Sequence, residues 1–554
     1  MTPAAGILSD LMAYELARSP VKAARLGLTV PGPLLPDMSE AAVTASARKD
    51  QAWLTRLAAH QPTPGTGEAT DLNLAVSALQ GRAVLNDWQL WRRRPELYTT
   101  PVLLAVQALA GDPSRPQADM AREAAAVLED APDLTGHGRR NLAPELAHPR
   151  LLRRAAAQAR AGAAWCQAAP SLAGPGDAEA RKLLAEAGET AATAFEDFAR
   201  HLAGLAEAAH GTAPIGEDRY NNLLRTAAGS RYDAAGIHAL GQAEIGLLRG
   251  RIAALRAAHP ELATAPAPQP ATSLTELTGW YQAELARARA FCADHAVLTL
   301  PDGEECTIAA TPRHRLATLP VASYDPPPLL AGTAATRGRF LIPVPPDGSP
   351  DETALALARQ PRAGIATVTV HEAYPGHHAH YARMAATVRR HPLRGLFTNP
   401  FHSEGWGVYA ERYADAHGYF TRPDQAQAHL ISLLVRAVRA AVEPALHTGD
   451  MTVSQASTFL EQNLRLTGDL AEAEIDRYLA YPTQAASYLA GAAEITEITA
   501  QAHASDQLTH DALTICGSLP LNLLRQAVSA PGTRVNLPAQ NPDHSEHLTP
   551  PNAR

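Results

Sequence analysis

Aromatic residues make up only 5% of this 554-residue chain, and cysteine occurs four times, at Cys166, Cys292, Cys306 and Cys516. Four cysteines so far apart, with no CxxC pair, indicate neither a disulfide framework nor a cysteine-zinc knuckle. No apolar run approaches the roughly 20 residues that span a bilayer, so no membrane partner is expected. The opening MTPAAGILSDLMAYELARSP has acidic residues where a signal peptide needs a basic start and an apolar core, which makes a cytoplasmic location the expectation. A net charge of −8 and basic clusters no longer than RRRPE (92–96) leave no extended basic face, so nucleic acid is not an expected partner.

What the chain does contain is helix-forming. Hydrophobic residues make up 46% and charged residues 19%. Runs rich in Ala, Leu, Arg and Glu repeat apolar positions every three to four residues, as in SEAAVTASARKDQAWLTRLAAH (39–60). This predicts a mainly α fold: an N-terminal helical lobe over 1–262, a catalytic helical lobe over 273–528, and a Pro-rich tail over 529–554. ATAPAPQPATS (263–273) reads as the linker, with Ser273 and Glu276 forming a capping box for a helix to about Asp294. The only strand-like region is a small sheet at about 296–345. In it, AVLTLPDGEECTIAATP (296–312) reads as a hairpin turning at Asp302-Gly303, and RGRFLIPVP (337–345) as an edge strand, either open to an extended peptide or ordinary sheet structure.

The chemistry concentrates in TVTVHEAYPGHHAHYARM, which places His371, Glu372, His377, His378 and His380 around Pro375-Gly376. The opening His-Glu is half of the zinc-peptidase pattern HExxH, but Pro375 stands where the second His belongs. On a straight helix, residues i and i+6 lie about 120° apart and about 9 Å along the axis, too far to share one ion. Pro375 lacks an N–H and its ring clashes with the carbonyl four residues back, so the helix must break, and Gly376 permits the break. A bulge there can return His377, or alternatively His378, toward His371. An acidic third ligand is expected from FHSEGWGVYAERYADAHG (401–418). Glu404, beside Gly405 and Gly407, is one candidate and Glu411, two turns on, is the other. His402 reads either as orienting a ligand or as facing solvent.

HEAYPGHH, SEGWGVYAE (403–411) and EIDRYLAYPTQAASYLAG (474–491), in that order, resemble the bacterial family called domain of unknown function 885. The resemblance implies a zinc metallopeptidase similar to the helical zincins, such as thimet oligopeptidase and carboxypeptidase Taq, with two lobes around a groove. Those relatives read HExGH, so the match of Gly376-His377 favours His377 over His378. The ligand set expected is His371, His377 and Glu404, holding Zn2+. The resemblance also assigns Arg477 and Tyr488 as substrate or oxyanion donors.

Glu372, next to a ligand, fits the general base that activates zinc-bound water. The function expected is hydrolysis of amide bonds in short peptides or small peptide-like conjugates. The alternative is a catalytically silent helical scaffold or binding protein with a structural metal, against which the presence of Glu372 argues, since a structural site needs no base.

Overall fold

The structure, a computed structural model, describes residues 3–529 except 29–31, 61, 112–114, 175, 265–269, 313–315, 317–320, 333–335 and 346–347. Part of the expected linker and the tail from 530 onward therefore lie outside the described residues. The described chain is mostly helical, with one three-stranded sheet. Ser273 caps the helix Leu274–Asp294 by accepting from the Glu276 amide. The Glu276 carboxylate, however, turns to the backbone and hydroxyl of Thr272 rather than to the cap residue itself.

Two apolar cores organise the helices. One gathers residues chiefly between Tyr98 and Ala206. The other joins Leu11, Leu79, Ile245 and Leu248 to the region from Val297 to Leu524. The boundary expected at residue 262 is a reading of the linker, whereas the apolar cores gather residues chiefly from 98–206 in one cluster and put Ile245 and Leu248 with the later residues. The reason lies in the helix Ala234–Ala258. It rests so closely on the helix Pro423–Thr448 that a Cβ on Gly241 would come within 2.5 Å of the Ala441 amide nitrogen.

The sheet differs from the expected hairpin. Strand β1 (Glu305–Ala310) pairs in parallel with β3 (Arg337–Ile342), and β2 (Ser323–Asp325) pairs antiparallel with the other side of β3. Gly303 does adopt a turn conformation, with φ of 70°, but the residues before it form no strand. Their backbone groups are occupied elsewhere: Asp511 accepts from the Thr299 amide and hydroxyl, and His510 bonds the Val297 carbonyl. The run RGRFLI is central rather than an edge: among the described residues β3 has β1 on one side and β2 on the other.

Close helix crossings set the stage for function. The helices Pro400–Ala416 and Ser487–Ala500 touch backbone to backbone at two glycines. A Cβ on Gly405 would lie 2.6 Å from the Gly491 carbonyl carbon, and one on Gly491 would lie 2.0 Å from the Phe401 oxygen. Glu404 sits beside that contact on one helix, and Tyr488 one turn before it on the other.

Candidate metal centre

The helix Arg362–Glu372 stops one residue after His371, and a second helix, His377–Arg390, starts at His377. Between them the backbone is widened. The Gly376 amide donates to the Val370 carbonyl at 3.1 Å and the Ala379 amide to the Ala373 carbonyl at 3.2 Å, each spanning six residues instead of four. The Tyr374–Pro375 peptide is cis. Trp406 donates its indole N–H to the Pro375 carbonyl at 2.9 Å, which satisfies an acceptor freed by the break. Gly376 is required here by contact, since a Cβ would fall 1.9 Å from the His371 oxygen. The outcome is the one the Pro-Gly insertion predicts: the His371 and His377 rings stand 4.8 Å apart, nearly perpendicular.

Glu404 completes a triad. Its Oε2 lies 3.4 Å from Nε2 of His371 and 3.4 Å from Nε2 of His377. The three donor atoms all fall within 4.8 Å of one another. Separations of 3.4 Å are long for an N–H···O hydrogen bond. They fit two ligands on one ion, because bonds of about 2.0–2.1 Å at a tetrahedral angle place the ligand atoms about 3.4 Å apart. The donor set, two imidazoles and a carboxylate, is one that zinc takes with a position left open. His371 lies against the Glu404 helix at Gly407, where a Cβ would come within 2.5 Å of its ring.

Glu411, the other acidic candidate, is not in the triad. It is fully buried and accepts from Nδ1 of His371 at 2.7 Å, with Arg436 at 3.3 Å on the same oxygen. The bond fixes the tautomer of His371, so that Nε2 keeps its lone pair for a cation. Burial disfavours charge throughout this cluster. Even so, the Glu404 and Glu411 carboxylates beside it raise the His371 imidazole to about 10, so a cation taken up at Nε2 would displace a proton. Burial likewise opposes charge on the two glutamates, but the imidazoles on Glu404, and Arg436 with His371 on Glu411, hold both well below the usual carboxylate range. The pocket thus favours positive charge where the donors converge. Glu411→Gln should weaken zinc binding by about ten- to a hundredfold, the usual loss when the partner of a ligand histidine is altered. Competition with a chromophoric chelator checks this, and unchanged affinity would remove Glu411 from any supporting role.

Glu372 lies next to the triad. Burial raises its carboxyl above the ordinary range, against the pull of His371 and His377, and the Tyr324 amide donates to it. Tyr488 is brought in as well, its ring stacked on His371 at 6.2 Å and 22°. Burial, together with the negative charge of Glu404, pushes its phenol up to about 12, so it stays a hydrogen-bond donor at neutral pH. Arg477 reaches the site only indirectly. Its guanidinium bonds Gln484 at 2.6 Å and Glu474 at 3.1 Å, and Gln484 in turn donates to the Tyr488 oxygen at 3.4 Å.

The other histidines point elsewhere. His378 is buried between Glu304, 2.6 Å from its Nε2, and the Tyr324 hydroxyl, 3.0 Å from its Nδ1. His380 and His402 pack ring to ring at 4.7 Å in the core. His402 therefore neither faces solvent nor bonds a ligand: its Nδ1 accepts from the Leu519 amide, and burial pushes it down to about 3. Sequence reasoning missed Tyr324, Glu304 and Arg439. The first two come from the small sheet region, where no spacing relates them to the histidines. Arg439 stands three residues after Arg436 on the helix Pro423–Thr448, and their 3.6-residue periodicity was the one available signal.

Two solved structures share this architecture. One, from Shewanella oneidensis and described as a "putative lipoprotein of unknown function", aligns with a TM-score of 0.73 and 18% identity, over 95% of this chain and 99% of the other. The second, described as the "putative lipoprotein from Colwellia psychrerythraea", aligns with a TM-score of 0.77 and 17% identity, over 95% and 98%. At such identities the likeness speaks for the fold alone. No curated protein matches the sequence. No helix among the described residues is long and apolar enough to cross a membrane. The family model described as "Bacterial protein of unknown function (DUF885)" matches residues 20–528, and the chain belongs to that family.

Proposed function

We propose that the protein is a zinc-dependent hydrolase of amide bonds in short peptides or small peptide-like conjugates. The observation that carries this reading is the convergence of His371, His377 and Glu404, with Glu372 beside them. The buried Nδ1 of His377 has no hydrogen-bond partner among the described residues, and Nε2 is the nitrogen turned toward Glu404. Zinc held there would supply a Lewis acid that polarises a carbonyl and acidifies water.

The chain's own groups supply the remaining steps. Glu372, its affinity for protons raised by burial, takes the proton of the attacking water and delivers it to the departing amine. Tyr488, a protonated phenol against His371, donates to the carbonyl oxygen as negative charge develops there. Arg477 and Gln484 position that phenol. The Glu404 side chain is 22% exposed, which is consistent with substrate arriving through a groove between helical lobes, as in the helical zincins.

Protein purified without added metal should carry about one zinc per chain, as a three-ligand site does. Treatment with a strong chelator should abolish cleavage of a short-peptide mixture followed by mass spectrometry, and zinc should restore it. Failure to take up zinc even after supplementation, or a loaded protein that cleaves neither peptides nor amide conjugates, would sink the proposal.

A further inference from the structure

We propose that Arg439 and Arg477 form a carboxylate-binding subsite that selects substrates with a free carboxylate one or two residues beyond the cleaved bond. The inference rests on reading the neighbouring triad as a peptide-hydrolysing site. Two guanidiniums share a single carboxylate here. Glu474 accepts Nε and Nη2 of Arg439 in a fork, both at 3.1 Å, and also Nη2 of Arg477 at 3.1 Å and the Tyr478 hydroxyl at 2.7 Å. One positive charge is left over.

The other acidic groups nearby do not cancel it. Burial raises the Glu443 carboxyl to about 8, so it is mostly uncharged at neutral pH, and its oxygens already hold the Tyr220 hydroxyl and the Thr483 amide. Glu404 faces the two histidines, Glu411 is taken by His371 and Arg436, and Asp476 pairs with Arg150. The fork to Glu474 uses Nε and Nη2 of Arg439 and leaves Nη1 out of it, on a side chain 18% exposed beside that of Arg477 at 24%. A donor outside the fork beside an excess cation, partly shielded from water, suits a planar oxyanion.

The spacing fits a substrate end. The Arg439 guanidinium carbon is 5.4 Å from the Tyr488 ring, which is 6.2 Å from the His371 ring, so the guanidinium lies within about 12 Å of the metal ligand. An extended chain advances about 3.3–3.6 Å per residue. After room is left for the ligand bond and the carboxylate contact, no more than two residues fit within that limit. The carboxylate could be the chain terminus or an acidic side chain, and the two are separable by experiment.

Trialanine, trialanine amide and the amide carrying aspartate as its third residue would be titrated calorimetrically into zinc-loaded Glu372→Gln protein, which keeps the ligand intact. Trialanine should bind at least about tenfold tighter than its amide, as loss of a charge-assisted pair implies. Recovery of affinity by the aspartate peptide would identify the side chain as the group read, and no recovery the chain terminus; either supports the subsite. The preference should vanish when Arg439→Met is added. Arg439→Lys serves as a second variant should the Met form fold poorly; it keeps charge and loses the fork, so the preference should shrink. Equal binding of acid and amide, binding of neither, or a preference that survives both variants would overturn the subsite. A wild-type enzyme that cleaves free and amidated peptides equally would also overturn it while leaving amide hydrolysis standing. Loss of all cleavage with the acid preference intact would instead count against hydrolysis alone.

Discussion

Glu372→Gln is expected to reduce turnover by roughly 10²–10⁴-fold, the range typical of losing a general base. Zinc content and substrate affinity should hold near wild type. The amide nearly matches the carboxylate in shape, and Glu372 is outside the donor triad formed by His371, His377 and Glu404. It cannot, however, take up the proton that a buried carboxyl of raised affinity can. Steady-state kinetics on a cleaved peptide, with zinc measured on the same samples, checks both halves. A variant that loses its metal would make Glu372 a ligand. One that keeps full activity would move hydrolysis away from this site.

His377→Ala should abolish zinc binding, whereas His378→Ala should leave about one zinc per chain, because only one of these neighbours offers a nitrogen to the cluster. His377 stands 3.4 Å from Glu404 through Nε2. Both nitrogens of His378 are engaged by Glu304 and Tyr324. Removing His378 should instead cost about 1–3 kcal/mol of stability, since buried Glu304 loses one of its partners. Thermal melts and metal analysis on the two variants separate the effects. A reversed pattern, with zinc lost only in His378→Ala, would show that the break aligns the other histidine.

Much of the centre was legible in the chain because the relevant constraints are local. Pro375 removes a backbone donor and Gly376 tolerates a contact that no Cβ would, so a widened turn between His371 and His377 follows from residue chemistry. The helical class follows from apolar periodicity in the same local way. The small sheet was misread for the opposite reason. The Asp302-Gly303 turn was real, but whether residues 296–300 paired as a strand depended on Asp511 and His510, more than 200 positions away, which claim their backbone groups.

The sequence by itself pointed to a broken helix that brings two histidines together, to an acid on a glycine-flanked helix, and to a carboxylate, Glu372, next to the first histidine. Tertiary structure alone decided which acid meets the histidines. Glu404 and Glu411 lie on one helix two turns apart, and the Gly405–Gly491 crossing and Gly407 set the depth at which His371 docks. That depth turns Glu404 toward Nε2 and leaves Glu411 behind the ring on Nδ1. It also decided that Arg439 and Arg477 share Glu474, since they come from separate helices that meet only in the folded chain. Local stereochemistry can shape a turn, but the pairing of charges across helices depends on backbone distances that no single segment sets.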